Sequence, residues 1–224
     1  MDPLDFHFKH TTAIQVSEIT RCIKTRLVPR ILENQLIQLF ATDIILVYRE
    51  WPPDYDMIRE PQFGIEFATG WRDEIIDSLS PEKRNILVLD DQMGAASSNT
   101  SVADLCTKGS HHRNLTVIYL VHNVYNQGTS VWTISLNSHY SVAIWKNRDA
   151  SQFRIIANKI CPNDGKWLVD FFSNATPKPY RYLLLDNHPS TPETQTVVTN
   201  ILPGDQLTYY INSNAKGKRY LKFF

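Results

Sequence analysis

No charge of either sign predominates in this chain: lysine and arginine together number 23, and so do aspartate and glutamate. Without a net field, neither nucleic acid nor a membrane is recruited by global charge, so any DNA contact has to be local. Cysteine is scarce as well. Cys22, Cys106 and Cys161 are odd in number, far apart and lack metal-ligand spacing. That argues against a secreted disulfide scaffold or a zinc site, and for buried thiols in a reducing interior. No apolar run of about 18 residues is present to cross a membrane, and the first residues have no basic segment leading into an apolar core. The expectation is a soluble, intracellular protein with no membrane partner. Gly-x-Ser-x-Gly and His-Glu-x-x-His are both missing, and nothing pairs Cys22 with a catalytic His and Asn, which disfavours the common hydrolase chemistries. No internal repeat or low-complexity block appears.

What is present is an ordinary globular composition, 42% hydrophobic and 21% charged over 224 residues, enough to bury one full α/β core. Apolar runs predict strands near 12–16, 43–48, 65–67, 86–89, 115–121, 131–136, 140–145 and 180–186. Helical spacing predicts helices over 20–33, with Pro29 as a kink, and over 72–79, 102–111, 150–160 and 166–174. Continuous apolar strands alternating with helices imply an α/β fold, a mainly parallel sheet flanked by helices. After Asn187 the composition turns to Pro, Thr, Ser and Asn, which suggests a domain over 1–187 and a peripheral extension over 188–224.

Three constellations are candidates for chemistry. The run Ile86-Leu87-Val88-Leu89 closes on Asp90-Asp91, a pattern in which nucleotide hydrolases hold magnesium and polarise water, and which also fits a surface turn after a core strand. Upstream, Lys24-Thr25 falls where a strand gives way to a helix, the place of a phosphate-binding loop; an ordinary solvated helix start fits it too. The third cluster is Lys108-Gly109-Ser110-His111-His112-Arg113-Asn114, able to bind phosphate or to lend Arg113 to a neighbouring subunit, or else a solvated loop. Adjacent His111 and His112 are poorly spaced for zinc. His122-Asn123 closes the next apolar strand and suits either a γ-phosphate sensor or a simple strand cap.

In order along the chain, several segments resemble the FtsK-HerA superfamily, in the packaging-ATPase type of adintoviruses and Maverick/Polinton elements, akin to a poxvirus packaging protein. They are Phe6-His7-Phe8-Lys9-His10, Tyr48-Arg49-Glu50-Trp51-Pro52-Pro53-Asp54-Tyr55, the acid-ended run through Met93, and Lys108 to Asn114. Ile134-Ser135-Leu136-Asn137-Ser138-His139-Tyr140, Lys146-Asn147-Arg148-Asp149 and Tyr182-Leu183-Leu184-Leu185-Asp186 continue the series. The resemblance implies a RecA-like P-loop fold, a homo-oligomeric ring, expected to be a hexamer, and ATP-driven movement of double-stranded DNA into a capsid. It further implies ATP and Mg as cofactors and capsid proteins as partners. Residue by residue, it assigns Lys24 to phosphate, Thr25 to magnesium, Asp90 to the first and Asp91 to the second Walker B acid, and Arg113 to a basic position acting in trans.

Departures from the family pattern are concentrated in its catalytic motifs. Where a glycine-rich loop is usual, Glu18-Ile19-Thr20-Arg21-Cys22-Ile23-Lys24-Thr25 has no glycine, and Val121-His122-Asn123 stands where Thr-Gln-Asn is usual. The proline of the usual Lys-Asn-Pro-Arg-Asp run is also missing, at Asn147-Arg148. Glycines let backbone amides approach phosphate closely, and each charge-assisted bond so lost is worth roughly 1.5–3 kcal/mol. Impaired hydrolysis is therefore expected, and a non-catalytic ring subunit or DNA-binding module is the alternative.

Overall fold

The computed structural model describes residues 6–18, 24–38, 41, 43–60, 64–92, 102, 104–106, 113–121, 128–144, 154, 157–158, 165–175, 182–211 and 220–223. They fall into two compact units, His7–Ser141 and a second made of Met1–Phe6 and Val142–Phe224. Among the described residues no helix is long and apolar enough to cross a membrane.

The first unit is an α/β sheet in which every pairing is parallel. Its strands are β1 (Ala13–Glu18), β2 (Asp43–Tyr48), β3 (Ile65–Thr69), β4 (Asn85–Asp90) and β5 (Leu115–Val121), in the spatial order β1-β5-β4-β2-β3. Every residue of β4 and β5 is buried, as strands covered on both faces require, and this is why their sequences are apolar without alternation. At the edge of this unit β3 mixes exposed Glu66 and Thr69 with buried Ala68, and the charge discourages pairing with another chain. Helix α1 (Lys24–Glu33) turns Leu27, Val28, Ile31 and Leu32 inward and Arg26, Arg30 and Glu33 outward, an i, i+4 stripe. It ends in a Schellman turn: Leu36 N–H donates to Ile31 O at 3.0 Å and Gln35 N–H to Leu32 O at 3.1 Å. Gln35 holds the left-handed conformation (φ 51°) that glycine usually fills.

One sequence expectation is corrected here. Residues 131–136 are rich in apolar and β-branched residues and suggest a strand, yet they lie in α3 (Gly128–Asn137). A strand would aim Ile134 and Leu136 at the same side. In the helix they diverge: Ile134 is buried and Leu136 is 63% exposed. Two side chains close the helix end, Asn137 Nδ2 donating to Thr133 O and Ser138 Oγ to Ile134 O, each at 2.8 Å. Short helix α2 (Glu74–Ser78) precedes β4, and β6 (Tyr140–Ile144) carries the chain onward. Of the helices expected over 102–111 and 150–160, only residues 102, 104–106, 154 and 157–158 lie among those described.

At the N-terminal edge of the parallel sheet, polar side chains knit the strands together. Asn85, fully buried, aims Nδ2 at four carbonyls: Ser80 O (2.8 Å), Lys83 O (2.9 Å), Arg113 O (3.1 Å) and Asn114 O (3.4 Å). With only carbonyl oxygens around it, the nitrogen is fixed in that position. Beside it, His10 lies 2.9 Å from Thr116 Oγ1 through Nδ1 and 2.9 Å from Asn114 Oδ1 through Nε2.

The second unit holds α4 (Gly165–Ala175), β7 (Leu183–Asp186), β8 (Val197–Thr199), β9 (Thr208–Ile211) and β10 (Tyr220–Phe223), the last four in a consecutive antiparallel series. Gly165 sits against Asn158, whose Cα would stand 2.9 Å from any added Cβ, so only glycine fits. Phe171 of α4 packs on Tyr210 of β9 with ring centroids 4.9 Å apart, and Thr199 Oγ1 donates to Tyr182 O at 2.6 Å.

Candidate functional site

Ligands of open parallel sheets bind beyond the carboxyl ends of the strands. In this sheet, register decides which residues meet there. Val16 of β1 is level with Leu120 of β5, and Leu120 with Asp90 of β4. Asp90 therefore closes its strand at the same edge at which β1 delivers the chain towards Lys24 and Thr25, the first two residues of α1. The loop between them, 19–23, lies outside the described residues, and so do Lys108, His111, His112, His122 and Asn123.

Asp90 is buried, and its Oδ2 accepts a 2.8 Å hydrogen bond from the hydroxyl of Tyr55, a residue with no exposed surface. Tyr55 sits in a 3₁₀ turn, Pro53–Ile58, that Pro52 and Pro53 force out of regular structure after β2. Burial foremost, then the Asp90 charge and the bond to it, then Asp54, push the Tyr55 phenol far above its ordinary range. It is thus a permanent donor, and the carboxylate it meets is the acceptor. One residue earlier, Asp54 Oδ1 lies 3.2 Å from Arg26 Nε in the first turns of α1. A continuous path runs from the start of α1 through Arg26, Asp54 and Tyr55 to Asp90.

Asp91 follows with φ at 55°, so the chain swings away from the β4 direction as soon as the strand ends. A non-glycine residue held left-handed at a strand terminus is a local cost that often marks a functional turn. Gln92, buried next to it, donates from Nε2 to Asp90 O at 3.0 Å and accepts from Trp71 N–H at 3.1 Å, binding the β4 end to the chain after β3. On β5, the Tyr119 phenol is pushed up by burial first, then by Cys106 and Asp91, and its buried Oη has no hydrogen-bond partner among the described residues.

Arg113 is elsewhere. It precedes β5 at the N-terminal edge, at least about 16 Å along the strands from Asp90 at roughly 3.3 Å per residue, with Nη1 donating to Ile76 O at 3.0 Å. The fold separates it from the acids of its own subunit.

Magnesium takes one or two carboxylates and completes its shell with water and phosphate oxygens, so the absence of any three-residue acid cluster among the described residues is compatible with it. A buried carboxyl group at Asp90 whose Oδ2 accepts from Tyr55 is a hard oxygen donor of the right kind. Sequence reasoning missed Tyr55, Gln92 and the Arg26–Asp54 pair; the Pro52-Pro53 break was the signal that something irregular stood there.

No family model matches the chain, and no curated protein matches its sequence. Solved structures do match its fold. B204, the DNA-packaging ATPase from Sulfolobus Turreted Icosahedral Virus, superposes with TM-score 0.51 at 12% identity, over 79% of this chain and 92% of that one. The genome packaging NTPase B204 from Sulfolobus turreted icosahedral virus 2, in complex with ATP-gammaS, gives TM-score 0.54 at 14% identity over 80% and 94%. The same protein in complex with AMPPCP gives 0.51 at 12% over 81% and 95%. The α/β fold with a mainly parallel sheet is therefore one shared with packaging NTPases.

Proposed function

We propose that this chain is a viral or transposon-derived homologue of DNA-packaging ATPases, binding MgATP at the carboxyl ends of β1 and β4 with slowed hydrolysis. The observation that carries the reading is the junction of the α1 start to a buried strand-end acid, made through Arg26, Asp54, Tyr55 and Asp90. Fold likeness to packaging NTPases, one of them solved with two nucleotide analogues, supports it.

In this reading Lys24 binds phosphate oxygens, while Thr25 and Asp90 hold magnesium, directly or through its waters. Magnesium, when bound, screens the phosphate charge and orders those waters. The Asp91 carboxylate takes the proton that an attacking water sheds. His122 and Asn123 occupy the sensor position, and Arg113, remote from its own subunit's acids, serves a neighbour's site in a homo-oligomeric ring, a hexamer by family pattern. Double-stranded DNA and capsid proteins are the corresponding partners.

Calorimetry with millimolar MgATP tests binding: saturable heat with wild type, lost in Asp90→Asn, is expected, and no heat with wild type overturns the reading. A second reading, a pseudo-ATPase ring subunit, is favoured by the glycine-free stretch Glu18 to Thr25. DNA-stimulated phosphate release that Asp91→Asn abolishes would exclude it.

A further inference from the structure

Tyr55 is held from every side. Its ring stands edge-on to Trp51 with centroids 5.9 Å apart, and Trp51 in turn packs edge-on against Tyr48 (5.2 Å) and Phe67 (5.1 Å) under the Arg59 guanidinium (5.3 Å). Trp51 Nε1 donates to Asp56 Oδ1 at 3.0 Å, and Tyr55 N–H to Pro52 O at 3.0 Å, so ring and backbone are fixed within one short turn. Such over-determination is what a group needs if it is to hold another group to within a fraction of an ångström. Its hydroxyl meets the carboxylate of Asp90, and the residue before it reaches α1.

We infer that Tyr55 is a positioning residue for Asp90, and that the Pro53–Ile58 turn, through Tyr55 at one point and the Arg26–Asp54 pair at another, sets the spacing between the α1 start and that carboxylate. The inference rests on the magnesium-nucleotide reading of the same site. A carboxylate that addresses magnesium through water must present its oxygens in one orientation, and groups behind metal ligands commonly change metal affinity 10- to 100-fold when removed. Tyr55 stands in that relation to Asp90. Because the turn also grips α1, a change there alters both sides of the site at once.

The test measures ATP binding by calorimetry across a magnesium titration and again in EDTA. In Tyr55→Phe, which keeps the ring and deletes the hydroxyl, the magnesium concentration for half-maximal binding rises about tenfold while affinity in EDTA is unchanged. Arg26→Gln, altering an exposed pair, moves it in the same direction by about twofold. A purely structural role would lower melting temperature and weaken both magnesium and EDTA binding together. If wild type binds and Tyr55→Phe shows an unchanged magnesium requirement, the inference is overturned and the nucleotide reading stands. If wild type binds no nucleotide, both fall. Should Tyr55→Phe not fold, Arg26→Gln decides, a raised magnesium requirement supporting the inference and an unchanged one overturning it.

Discussion

The two edges of the parallel sheet use similar residues to opposite ends. At the N-terminal edge, the Asn85 amide nitrogen, His10, Asn114 and Thr116 bond one another and backbone carbonyls, Thr11 N–H donates to Thr116 Oγ1 at 3.1 Å, and Asn85 Oδ1 is left buried without a partner among the described residues. At the C-terminal edge a buried acid accepts from one tyrosine and a second tyrosine hydroxyl has no partner among the described residues, while left-handed residues stand at both edges, Thr11 and Asn114 at one and Asp91 at the other. The first arrangement fastens strands together. The second keeps a buried carboxyl group where a ligand of an open sheet is received. Under the proposed function, the residues that fasten the strands and the acid of the site stand at different ends of the same sheet.

Exchanging amide and acid between the edges gives the sharpest way to break this contrast. Asn85→Asp places a carboxylate among four carbonyls and should destabilise the fold by about 3–5 kcal/mol, read from urea midpoints. Asp90→Asn, the reverse change at the other edge, should cost under about 1 kcal/mol because an amide oxygen still accepts from Tyr55. Equal costs would erase the distinction.

The pH dependence of stability should also belong to the N-terminal edge. Burial first, and then Arg84, hold His10 below its ordinary value of 6.5, against the opposing hydrogen bonds to Asn114. The unfolded chain then binds the proton more readily than the folded one, so stability is complete above about pH 6.5 and declines as pH falls through the lowered folded value. The slope cannot exceed roughly 1.4 kcal/mol per pH unit, and His10→Gln should remove it from denaturation curves. Tyr119→Phe should leave stability unchanged or raise it by up to about 1 kcal/mol, since it deletes a hydroxyl that is buried without a partner. The smallest effect concerns Cys106, whose thiol burial pushes up to about 12: mass-mapped alkylation of the native protein at pH 8 should leave it unmodified until the chain unfolds.

Much of the sheet was legible because its strands are buried on both faces. β2 and β5 fall where their apolar runs predict, over Asp43–Tyr48 and Leu115–Val121. Residues 131–136 misled because the β-branched Val131, Thr133 and Ile134 favour a strand, whereas the segment is helical, with Ile134 buried and the helix end made by Asn137 and Ser138. Asp90 was visible as a strand-end acid. Its partner was not: the Tyr55 bond spans 35 positions and depends on where a proline-started turn aims one hydroxyl, information that no local spacing holds.

Pro29 lies six residues into α1 and is buried with its neighbours Leu27 and Val28. Having no N–H, it leaves the carbonyl of Thr25, four residues back, without its helical donor. One rung of the ladder is missing between the turn that begins at Lys24 and the half that anchors Ile31 and Leu32 in the core. The first turn of α1 is therefore tied to the rest of the helix by one backbone hydrogen bond fewer than an unbroken helix would have.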